Sequence, residues 1–73
     1  MNEQHQADES EVAMRKFLKQ LGVTAHQELA KVLAEAVDSG KLSPGEKVLV
    51  KAKVELEGIE FKHEIESNLI APN

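Results

Sequence analysis

Hydrophobic positions recur with a period near 3.6 over the first forty residues of this chain and with a period of two after that. In the first stretch, Met14, Phe17, Leu18 and Leu21 fall at i, i+3, i+4 and i+7 and make one apolar stripe. Asp8 is placed to cap a helix, with Glu11 at capping-box spacing. Gly22 is placed to end it in a left-handed conformation. The pattern therefore predicts a first helix from about Asp8 to Gly22, with Arg15, Lys16 and Lys19 complementing the dipole near its C-terminal end. Val23 then bridges to a second helix, opened by Thr24 with Gln27 and closed by Gly40. Leu29, Val32, Leu33, Ala36 and Val37 form its apolar face, widened by Ala25, Ala30 and Ala34. Glu28, Lys31 and Glu35 can pair along its surface for ~0.2–0.5 kcal/mol each.

Ser43-Pro44-Gly45-Glu46 is a turn sequence, because Pro pre-sets the first corner and Gly accepts positive φ at the second. From Lys47 to Leu56 the period is two, with Val48, Val50, Ala52, Val54 and Leu56 on one side. After Glu57-Gly58, Ile59, Phe61, His63 and Ile65 continue that face against Glu60, Lys62, Glu64 and Glu66. Two registers compete. A two-residue turn at Glu57-Gly58 pairs Leu56 with Ile59 and Val54 with Phe61, but sets Glu55 against Glu60 and Lys53 against Lys62. A slip by two matches Glu55 with Lys62 and Lys53 with Glu64, and leaves Ile59 in the turn. Burying Ile59 is worth ~1.5–3 kcal/mol against ~0.2–1 kcal/mol for a cross-strand charge pair, so the tight register is expected. The predicted fold is α+β: two antiparallel helices packed on one face of a β-hairpin, in the order α-α-β-β. Residues 1–7 form a flexible acidic leader, residues 8–73 one small domain, and Ser67–Asn73 a mobile end. Phe17 and Phe61, the two aromatics, are expected to meet in the core.

Composition narrows what this fold could do. At 73 residues the chain is one small domain that buries only ~60% of its unfolded surface. With no Cys it has neither disulfide staples nor thiolate metal sites. No basic, apolar leader marks a signal peptide and no run approaches a membrane span, so the cytoplasm is the expected compartment. All four surplus negative charges, Glu3, Asp8, Glu9 and Glu11, lie in the first eleven residues; the rest balances nine basic against nine acidic residues. That balance argues against a nucleic-acid backbone as partner.

Candidate chemistry is sparse. His5, His26 and His63 share no metal-type spacing. His63 interrupts the apolar face of the hairpin, roughly opposite Ala52, and reads as a histidine at the sheet margin. Ser10, Thr24, Ser39, Ser43 and Ser67 sit at caps or turns, where backbone hydrogen bonding accounts for them. The carboxylates occupy solvent-facing positions, and the four glycines end or turn elements without forming a phosphate loop. No nucleophile–base–stabiliser set emerges, so no enzyme, cofactor or metal site is expected. Leu21-Gly22-Val23-Thr24 is similar to the turn of a helix-turn-helix, with the hairpin as a wing and Arg15, Lys16 and Lys19 as phosphate contacts. The would-be recognition helix carries more acids than bases, and Glu28 stands where that motif wants an apolar residue.

The remaining candidate is a docking edge. Lys47 to Leu56 makes a long first strand with Leu49 on its otherwise charged face, and Leu69 and Ile70 have no place in a two-helix core. Leu49, Lys51, Lys53, Leu69 and Ile70 are thus the candidate partner-binding residues, with partial protection of the edge by lysines. The expected partner is a second copy, meeting edge to edge, or another protein. The function expected is a non-enzymatic interaction or self-association module, with weak nucleic-acid binding as the alternative.

The block Met14-Arg15-Lys16-Phe17-Leu18-Lys19, followed by Gly22-Val23-Thr24 and Glu28-Leu29, resembles a family of short proteobacterial proteins known only as a domain of unknown function. Those proteins have a similar Met-Asn start, an Arg-Lys-Phe-Leu-Lys block, a Gly-Val-Thr or Gly-Val-Ser turn and a later hairpin. The likeness is tight over residues 14–29. It implies a small bacterial cytoplasmic protein and transfers no activity. Ala25-His26 departs from the Ser-Gln found in members at that point.

Overall fold

The computed structural model describes residues 2–73, with side chains from Asp8 onward. One helix, α1 (Asn2–Asp38), precedes two antiparallel strands, β1 (Lys47–Glu55) and β2 (Lys62–Ile70). The α+β class and the hairpin are as expected, but two helices are not. The chain divides into two units, Met1–Val32 and Leu33–Asn73.

The first unit is helical throughout its described residues, and α1 continues without interruption through Gly22-Val23-Thr24. Gly22 is not among the glycines with positive φ, so it ends nothing. Thr24 does not cap: its hydroxyl donates to the Gln20 carbonyl four residues back, at 2.8 Å. That bond satisfies a polar side chain inside a helix without competing for a helix end. A single interior Gly costs a helix ~1 kcal/mol relative to Ala, which is too little to stop a helix of 37 residues containing no proline. Asp8 also lies inside α1 and not at its cap. Arg15, Lys16 and Lys19 consequently stand mid-helix, far from the dipole end they were expected to complement. The acidic leader expected at residues 1–7 lies outside the described side chains.

The second unit begins in the last turns of α1. There the expected end is found: Gly40 adopts φ +81°, and the amides of Lys41 and Leu42 both donate to the Ala36 carbonyl, at 2.8 and 3.1 Å. Ser43–Glu46 forms the expected turn, with Gly45 at φ +81° and the Glu46 amide donating to the Ser43 carbonyl at 3.0 Å. The Glu46 carboxylate reaches back to accept from the Ser43 amide at 2.8 Å, which fixes the turn from both sides.

The hairpin adopts the slipped register. Glu55 faces Lys62, Lys53 faces Glu64 and Lys51 faces Glu66, while Leu56 to Phe61 form the connection with Gly58 at φ +84°. The tight register is favoured only if it buries Ile59, yet Ile59 is 64% exposed and Phe61 48%. The observed register leaves that burial ungained and sets opposite charges face to face, while the one hairpin ion pair among the described residues, Lys53–Glu55, lies within β1. A slip of two leaves every side chain on its original face. Val48, Val50, Ala52 and Val54 still share one face, now against Leu69, Ser67, Ile65 and His63. His63 therefore opposes Val54 and not Ala52.

The C-terminal segment is a second correction. Ser67 to Ile70 belong to β2, and Ala71 extends the ladder by donating to the Glu46 carbonyl at 2.8 Å while accepting from Gly45 at 3.0 Å. Ala71 is the one fully buried apolar residue among those described. Phe17, at 49% exposed, and Phe61, at 48%, are each half-exposed, so neither is the buried core residue expected.

Candidate functional site

The partner-binding set expected from the sequence splits between the faces of the hairpin. Leu49, Lys51 and Lys53 alternate with the valines of β1 and so share a face with Ile70, Asn68, Glu66 and Glu64. Leu69 pairs with Val48 on the opposite, apolar face and is half-buried. Leu49 at 55% and Ile70 at 57% exposure are diagonal neighbours, because Leu49 opposes Asn68 and Ile70 opposes Lys47. They form an apolar spot beside the charged rows. Along that face, three opposite-charge pairs stand in register, and Lys53 Nζ also lies 3.9 Å from Glu55 Oε2 on its own strand. These groups are exposed, so each contributes little singly.

Arg15, Lys16 and Lys19 are exposed on α1. Arg15 Nε lies 3.6 Å from Glu11 Oε1, an i,i+4 pair on open surface. The helix-turn-helix reading has lost its geometry, because no turn exists at residues 21–24 to set one helix against another. Ser39 and Thr24 donate to helix carbonyls, but Ser10 and Thr24 lie inside α1 and Ser67 inside β2, not at the caps or turns expected of them.

The surface that sequence reasoning missed is a single stripe along α1. Met14, Leu18, Leu21, Ala25, Leu29 and Val32 are separated by four, three, four, four and three residues, which keeps them on one side of one helix. The signal is present in the sequence: Met14 and Ala25, Leu18 and Leu29, Leu21 and Val32 are each eleven residues apart, so the two apolar patches are in phase across Gly22. Every member except Ala25 is exposed. Phe17 flanks the stripe.

Depressions in the surface are shallow. One of ≈ 400 Å³ on the hairpin is lined by Lys51, Ala52, Lys53, Glu64, Ile65 and Glu66, with no buried polar group aimed into it. Among the described residues no cluster of three or more His, Asp or Glu could hold a metal ion, and no helix is long and apolar enough to cross a membrane.

Comparison with known proteins finds one family. The model of a family of unknown function, DUF6494, matches residues 1–72. The likeness seen at residues 14–29 thus extends over nearly the whole chain. No curated protein and no solved structure matches.

Proposed function

Since this chain belongs to the DUF6494 family, whose function is unknown, we propose its role from its exposed faces: it is a non-enzymatic module that works by associating with another protein chain, in the first instance a second copy of itself. One observation carries this reading. Fourteen large hydrophobic side chains among the described residues are exposed, against a single buried Ala71. Scattered exposed apolar residues are ordinary, but here Met14, Leu18, Leu21, Leu29 and Val32 fall in one row along α1, and Leu49 and Ile70 adjoin on one face of the hairpin. A folded chain of this size has little stability to spare, and covering those rows by association would supply what its own core does not.

Two surfaces serve such a module. The hairpin has two strands, so the outer edge of β1 offers backbone pairing groups, with Leu49 on that strand and Ile70 diagonal to it on β2. The stripe of α1 offers side-chain contact. Sedimentation equilibrium of the full chain tests the reading. A mass at a multiple of 8.1 kDa at micromolar concentration supports it, and a monomer persisting to near-millimolar concentration removes it. Nucleic-acid binding is not carried forward, since its turn is absent and its cations are offset by acids on the same helix.

A further inference from the structure

We propose that copies of this chain join head to tail through the hairpin, the outer edge of β1 in one copy pairing antiparallel with the outer edge of β2 in the next. Lys51 then stands opposite Glu66 of the second copy, and Lys53 opposite its Glu64. The inference rests on the self-association reading above and names its edge and its symmetry.

The backbone decides which residues each outer edge presents. Residues directly opposite in an antiparallel pair alternate between exchanging hydrogen bonds and exchanging none. Ala71 donates to Glu46 at 2.8 Å, one step beyond the Lys47–Ile70 pair. The bonded pairs therefore continue as Val48–Leu69, Val50–Ser67, Ala52–Ile65 and Val54–His63. The amides and carbonyls of Leu49, Lys51 and Lys53 on β1, and of Glu64, Glu66 and Asn68 on β2, point outward, unused by a sheet of two strands. These are the residues of the charged face, so backbone pairing at the edge brings the same side chains together.

Charge selects the partner edge. Full overlap of β1 with a second β1 about a two-fold axis gains two Lys47–Glu55 pairs but sets Lys51 on Lys51. Full overlap of β2 with a second β2 sets Glu66 on Glu66 and gains no opposite pair. Full overlap of β1 with β2 sets Lys51 on Glu66, Lys53 on Glu64 and Glu55 on Lys62, with no like pair. Moving that register by two residues opposes Lys53 to Lys62 in one direction and Glu55 to Glu64 in the other. A move by one would turn the faces over. Within the hairpin, Lys51, Glu64 and Glu66 take part in no ion pair, Lys53–Glu55 being the one found there among the described residues. The lysines that guard β1 against indiscriminate pairing thus serve to recognise an acidic strand. Leu49 gains a second Ile70 on its diagonal, from the neighbouring copy. The contact is heterologous, and each copy added leaves one edge of each kind exposed, so assembly continues past two.

The absence of native cysteine makes the test clean. Leu49→Cys chains and Asn68→Cys chains are mixed and oxidised under mild conditions. Across the edge these positions form a hydrogen-bonded pair with Cα atoms ~5.5 Å apart, within disulfide reach. The mixed disulfide is expected to dominate over both homodisulfides. A dominant homodisulfide, or a mixed product no more abundant than that of Glu57→Cys with Asn68→Cys, overturns the proposal. Sedimentation equilibrium of the wild type should show an average mass that rises past the dimer with concentration and falls at high salt. A dimer that grows no further, as exchange of strands between two chains would give, overturns head-to-tail pairing. Association without the mixed disulfide removes this edge and leaves self-association standing. A monomer persisting to near-millimolar concentration overturns both.

Discussion

The helix and the hairpin announce themselves in the sequence by the same kind of signal, periodicity, and the structure corrects the reading of each in opposite ways. In α1 a local signal is the misleading one: Gly22-Val23-Thr24 has the composition of a turn, yet the helix runs through it. In the hairpin a tertiary signal misleads: burial of Ile59 favours one register, yet the strands take the other, in which Ile59 stays exposed and opposite charges face each other. Both errors have one source. Assuming a core makes a turn necessary, to fold two helices together, and makes a dry hairpin face necessary, to receive them. Without that assumption, the phase of the helix stripe and the charges of the hairpin each point to the observed structure.

The comparison can be broken most sharply at Val23. Pro there should cost ~3 kcal/mol or more and remove a large part of the helical circular dichroism, because it deletes a backbone bond in mid-helix. If residues 22–24 were a loop, the substitution would pass almost unnoticed. In the hairpin unit, Gly45→Ala places a side chain at φ +81° and should destabilise by ~1–2 kcal/mol, lowering the melting temperature. Space is not the reason, since the nearest atom to an added Cβ, Asn73 Oδ1, is at 3.6 Å.

Gly22→Ala should do the reverse and stabilise by ~0.5–1 kcal/mol, raising helicity at far-ultraviolet wavelengths. An added Cβ meets nothing within 4 Å there, and φ is not positive. A destabilised variant would restore Gly22 as a helix end. The smallest effect tests the register by its sign. Lys53→Glu should destabilise by ~0.2–1 kcal/mol and be rescued by Glu64→Lys in a double-mutant cycle. In the tight register Lys53 would face Lys62, and the single change would stabilise.

Legibility follows how local each determinant is. The C-terminal end of α1 at Gly40, the turn at Pro44-Gly45 and the face assignment of the β residues are dictated by one to four neighbouring residues, and all are readable. Gly22 and Gly40 look alike in sequence. What separates them is downstream: after Gly22 the stripe continues in phase through Ala25 and Leu29, whereas after Gly40 it gives way to Ser43-Pro44. The strand beyond Glu66 is hard to read because Ser67 and Asn68 lower its β propensity, while the pairing that holds it comes from Val50 and Leu49, far back in the chain. Of the candidate contact residues, Leu49 and Ile70 are brought together by the slipped register and Leu69 is turned away from them. The helix stripe escapes notice as a surface once it is divided between two elements.

The pairing of Ala71 with Glu46 reverses the usual direction in which a hairpin comes apart. Most hairpins are tight at the connection and loose at their ends. Here the connection spans Leu56 to Phe61 without a ladder, while the far end is locked by the Ala71–Glu46 and Gly45–Ala71 hydrogen bonds beside the one buried side chain. Fraying should therefore start at Glu55 and Lys62 and travel outward toward the chain ends. Amide hydrogen exchange would show it as a gradient, fastest beside the connection and slowest at Ala71. The most durable part of this unit is then the point where its first and last residues of sheet meet.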